Sequence, residues 1–138
     1  MTEEFDFIDY IVKYDSLYTS GKIFEKDIFK GCDGYMVPIV YGTPKDPNEV
    51  SMYECFGHAF LENKEDGVVA KCKFIDTEFG RFLKSALLNN NDHGLSFYGS
   101  GITSDNHVEF GRILGVMVLP KWRMYTIIPR PYEHALID

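Results

Sequence analysis

The chain has 138 residues, 45% of them hydrophobic and 25% charged, and carries a net charge of −7 from 21 acidic and 14 basic residues. That length and balance fit one folded domain with a buried core rather than a disordered chain. Scattered Lys and Arg in an acidic chain make no stripe for a phosphate backbone, and no apolar run approaches the roughly 20 residues of a spanning helix. Neither nucleic acid nor a membrane is therefore expected as a partner.

The first ten residues hold Glu3, Glu4, Asp6 and Asp9 without Lys or Arg, the wrong charge for a secretory signal, so synthesis in a cytoplasm is expected. Residues Phe7 to Tyr14 mix β-branched and aromatic types, and a Ser20-Gly21 turn separates them from Lys22 to Phe24. Tyr35 to Tyr41 reads as a short buried strand, with Pro38 tolerated if the strand is an edge or begins there. The stretch from Gly42 to Ser51, with two prolines, is a loop.

Glu54 to Glu62 and Gly67 to Ile75 read as two strands of a hairpin whose turn signal is Asp66-Gly67. In the second strand Val68, Ala70, Cys72 and Phe74 alternate with Val69, Lys71 and Lys73, the period of a half-buried strand. Asp76 or Thr77 then caps a helix whose apolar stripe is Phe79, Phe82, Leu83, Ala86 and Leu87. After Asn89-Asn90-Asn91 come a glycine-flanked strand, Gly94 to Gly99, a turn, and a long strand from His107 to Leu119 closed by Pro120. Residues 1–120 thus form the β-rich domain. Residues 121–138 read as an extended arm, because its prolines fix φ and discourage sheet pairing.

The chemistry available is sparse. Cys32, Cys55 and Cys72 show no metal-ligand spacing and read as free thiols, so no metal or other cofactor is expected. Ser96, on a strand between glycines, is the one nucleophile with a suggestive setting, and it needs a base. His93 lies three residues away, which on a strand points it to the opposite face. His58 is mid-strand and serves only if the two strands are neighbours; His107 opens the last strand and His134 lies in the arm.

The order Val37-Pro38-Ile39-Val40-Tyr41, Phe56-Gly57-His58-Ala59, Asp66-Gly67-Val68-Val69, Phe74-Ile75-Asp76-Thr77-Glu78-Phe79-Gly80 and Gly94-Leu95-Ser96-Phe97 resembles the prohead (capsid maturation) proteases of tailed bacteriophages. The resemblance runs over roughly Gly21 to Pro120 and extends in outline to the herpesvirus assemblin fold. It implies an α+β, mostly β fold: a prohead-protease/assemblin-like, β-barrel-like sheet with one amphipathic helix. It also puts Ser96 at the nucleophile position and the family's histidine near Tyr41 to Lys45, where Thr43 stands instead. A threonine cannot accept the serine proton near neutral pH, which leaves His58 as the fallback base. Tyr98 occupies a place where a small residue would leave room for substrate, and the family's charged helical C-terminal part is replaced by the apolar arm.

The resemblance therefore implies a degenerate, catalytically inactive member with a vestigial Ser96. Its expected role is that of a non-enzymatic capsid auxiliary, decorating or stabilising a virion made in a host cytoplasm. The expected partner is the major capsid protein or another virion protein, contacted through Trp122, Tyr125, Pro129, Pro131 and Tyr132 of the arm. Homo-oligomerisation stays open. The alternatives are an active maturation protease using Ser96 and a displaced histidine, and a generic β-rich adaptor.

Overall fold

The structure, a computed structural model, describes residues 5–15, 23–42, 50, 54–89, 93–104 and 107–120, with only the backbone described for 100–104 and 107–110. The protein is mostly β: a nearly closed, six-strand mixed barrel-like sheet with one helix. The strands are β1 (Phe7–Lys13), β2 (Ile23–Phe24), β3 (Met36–Tyr41), β4 (Gly57–Lys64), β5 (Gly67–Phe74), β6 (His93–Ser104) and β7 (His107–Pro120). The helix α1 (Glu78–Asn89) lies between β5 and β6, and a 3-10 turn spans Lys30–Cys32.

Round the barrel the order is β1-β5-β4-β3-β7-β6, and β6 comes back alongside β1 without a shared ladder among the described residues. Most pairs are antiparallel, but β3 runs parallel to β7 through Ile39–Val116, Val40–Met117 and Tyr41–Val118. The two-residue β2 pairs with the start of the same β7 edge, at His107 and Val108.

Pro38 shows how this arrangement tolerates its missing donor. Leu61 donates its N–H to the Tyr35 carbonyl, so alternation turns the backbone of Pro38 away from β4 and towards β7. Pairing with β7 starts one residue later, at Ile39. The strand is therefore central rather than an edge, and proline sits just outside its second ladder.

The hairpin is tighter than the sequence suggests. β4 runs on through Asn63 and Lys64, which pair with Val68 and Gly67, and leaves only Glu65 and Asp66 to turn. Neither turn residue nor Gly67 has a positive φ. Gly67 is needed for a different reason: a Cβ there would lie 2.1 Å from the Val12 carbonyl oxygen on β1. Residues Glu54 to Phe56 precede β4 instead of belonging to it.

One apolar core fills the barrel. Ile39, Ala59, Leu61, Val68, Ala70, Cys72, Leu95, Phe97, Val116 and Val118 all point inward, in keeping with alternation along each strand. Phe24, Phe29 and Phe97 form a three-ring cluster with centroids 5.5–5.9 Å apart, in edge-to-face and tilted contacts. Each of these fully buried rings contributes about 1.5–3 kcal/mol through burial.

Thr77 is the helix cap: its hydroxyl accepts the Gly80 N–H at 3.1 Å, while its carbonyl accepts the Arg81 N–H at 2.9 Å. The helix is rotated from the expected stripe. Leu83 and Leu87 join the barrel core and Gly80 is buried beside them, whereas Phe79 and Phe82 are 38% and 50% exposed. No helix among the described residues is long and apolar enough to cross a membrane.

Candidate functional site: the serine strand and the aromatic rim

Ser96 lies on the outer face of β6, abreast of Met117 on β7 and Val40 on β3. Inward-facing Leu95 and Phe97 flank it, so alternation sends its side chain away from the barrel core. This outer face is nonetheless covered. Val40, Tyr98, Met117 and Leu119 form a second buried cluster, with Val50 and Leu114 packed against it.

Ser96 is 0% exposed, and its Oγ has no hydrogen-bond partner among the described residues. Two residues on, Tyr98 lays its ring over Gly115, where an added Cβ would come within 2.2 Å of the ring. The Tyr98 hydroxyl is also buried and has no partner among the described residues. Burial, with help from Cys55 and Glu54, holds its proton on well above the usual phenol range.

The structure does not bring the sequence-predicted base to this serine. His58 is exposed on β4, and β3 and β7 stand between it and β6, so the two are three strand spacings apart, roughly 14 Å along the sheet. His93 shares the serine's strand but faces the other way, three residues along, roughly 10 Å distant. His107 supplies the first backbone position of β7. Thr43, His134 and the arm residues Trp122, Tyr125, Pro129, Pro131 and Tyr132 lie outside the described residues.

The thiols offer no alternative chemistry at this point. Cys32 and Cys72 are free and buried, and burial, reinforced by Asp9 and Asp6, pushes the Cys72 thiol up to about 12. Cys55 is free and half-buried, and donates to the Gly57 carbonyl at 3.1 Å. Among the described residues no group of His, Cys, Asp and Glu could hold a metal ion.

What the fold does assemble is an exposed aromatic rim at one mouth of the barrel. Tyr41 continues the inward row of Val37 and Ile39, and His93 begins the row of Leu95 and Phe97, so both stand where the core ends. The helix crosses this mouth, and its rotation places Phe79 between Tyr41 and Phe56, with centroids at 5.6 and 4.8 Å. Phe82 stacks on Phe79 at 5.6 Å and meets His93 edge-on at 6.4 Å. Within this rim the Nδ1 of His93 is shielded from solvent and has no partner among the described residues.

The sequence put Phe79 and Phe82 on the apolar stripe of the helix. Both share a broad stripe with Leu83, Ala86 and Leu87, and nothing in a 3.6-residue period says which margin of such a stripe meets the core. Compared with known proteins, the chain matches no family model, no curated protein and no solved structure.

Proposed function

We propose that this chain is a non-enzymatic binding domain, an auxiliary protein of a bacteriophage capsid on a prohead-protease-like plan, docking onto the major capsid protein or another virion protein. The virion setting rests on the sequence resemblance alone. The non-enzymatic part rests on one observation: Ser96 is fully buried, its Oγ meets no hydrogen-bonding group among the described residues, and its strand neighbours are apolar. A serine nucleophile needs a base within about 3 Å and room for a substrate carbonyl beside it.

The aromatic rim supports the docking part. Exposed rings that already touch one another lose little side-chain freedom on binding, and aromatic residues dominate interface hot spots. The rim (Tyr41, Phe56, Phe79 and Phe82) thereby joins the apolar arm as a contact surface.

Co-sedimentation with assembled capsids of the phage that carries this reading frame tests the proposal. The chain is expected to pellet in a fixed ratio to capsid subunits, and Phe79→Ala with Phe82→Ala should weaken retention at least tenfold while the fold persists. A chain that stays in the supernatant at every capsid concentration refutes the virion role.

A further inference from the structure

A second site lies on the opposite stretch of β7 and involves neither Ser96 nor the rim. The β7 edge that carries β2 at Val108 and β3 at Val116 has no strand partner among the described residues from Glu109 to Gly115. The reason is local. The β3 strand meets β7 only beyond Pro38, and β2 is two residues long.

The gap is a cavity of about 530 Å³, within the roughly 300–1,000 Å³ range of ligand sites. Ile28, Met36, Val37 and Pro38 give it apolar walls, and Tyr35 and Arg112 stand at its polar margin. Its remaining side is β7 from Gly111 to Leu114.

The open edge presents donors and acceptors in pairs, because a strand residue turns its N–H and its C=O to the same side. Ile113 directs its N–H into the gap, where it meets the Cys32 Sγ at 3.5 Å, a weak acceptor. Alternation turns the Gly111 N–H the same way. Arg112 is exposed and has no acidic partner among the described residues, although the chain is acidic overall. Pro38, facing it across the gap, contributes no donor of its own to close the edge.

The geometry points to a binding slot for a carboxylate on an apolar body: a ligand whose apolar part lies against Ile28, Met36 and Pro38 while its carboxylate takes Arg112, with the open β7 edge left to pair with main-chain groups where the ligand has them. Two sources share that chemistry, the C-terminal end of an extended peptide and a small aliphatic acid. Arg suits the charged end because its planar fork matches a carboxylate. The strand edge suits a peptide by adding main-chain hydrogen bonds.

The experiment is an NMR titration of the ¹⁵N-labelled chain with three probes: acetyl-Leu-Val-Leu with a free carboxylate, the same peptide as its carboxamide, and octanoate. The peptide acid is expected to shift the amides of Val37, Gly111 and Ile113 in a saturable way. The carboxamide, and the acid with Arg112→Gln, should each bind about tenfold more weakly. Octanoate binding as well as the peptide acid identifies a small acid as the natural occupant, and weaker octanoate binding identifies a chain terminus. No shift at those amides with either acid up to several millimolar overturns the inference, as does a carboxamide that binds as tightly as the acid. Because Arg112 is exposed and has no acidic partner among the described residues, the variant should keep the parent's dispersed spectrum.

Discussion

Ser96 and Tyr98 carry hydroxyls where the protein has no use for them in folding. Each is buried on the outer face of β6 without a partner among the described residues, and a buried unsatisfied hydroxyl costs about 1–3 kcal/mol. Ser96→Ala and Tyr98→Phe should each raise stability, by about 1 kcal/mol, read as a higher urea midpoint at unchanged slope. A lower midpoint for either variant would mean that its hydroxyl is bonded in solution. The sequence marked Ser96 through its glycine-flanked strand, and that strand is present. Its burial was not legible, because the cover comes from Val50, Leu114 and the neighbouring strands, residues remote along the chain. Tyr98 was legible as a large residue in the wrong place, though not its seat over Gly115.

Among the elements, α1 and the β4–β5 hairpin were the most readable, since each declares itself in a local period. The alternation of Val68, Ala70, Cys72 and Phe74 is the inner face of β5 as expected. The rotation of α1 was hidden because it depends on what the helix packs against. One of those contacts is Asp6, just before β1, which clamps three elements. Its Oδ2 accepts the Phe74 N–H at 2.9 Å and its Oδ1 meets the Lys84 Nζ of α1 at 3.1 Å.

Burial alone would raise the Asp6 carboxyl, but the Phe74 N–H and Lys84 outweigh it and hold the group below its ordinary value. A depressed carboxylate stabilises the fold above the unfolded value of about 3.9 and loses that contribution as pH falls through the lower folded value. Asp6→Ala is therefore expected to cost about 1–2 kcal/mol at neutral pH, with the gap to the parent closing in acid. Urea titrations across pH check this. A gap that stays constant down to pH 2 would place the loss in packing rather than in the charge.

At the scale of the whole molecule, a β-rich barrel-like sheet with one helix was legible, but its closure was not. The parallel pairing of β3 with β7 joins strands separated by β4, β5, α1 and β6, and no local pattern encodes such a partner. That pairing decides the functional geometry. It sets Val40, Met117 and Ser96 abreast on a covered face, holds His58 three strand spacings away, and opens the slot beside Arg112. The aromatic rim likewise exists only once the mouth of the barrel is formed.

The account turns on whether Ser96 can act as a nucleophile in the native chain, and a fluorophosphonate probe asks that directly. Incubated with the folded protein at neutral pH and followed by intact mass, the probe should add nothing to Ser96, so that neither the parent nor Ser96→Ala gains the mass of the probe. Stoichiometric labelling that Ser96→Ala abolishes would contradict the account, because it requires an activated, accessible serine where the structure has a buried and unpartnered one.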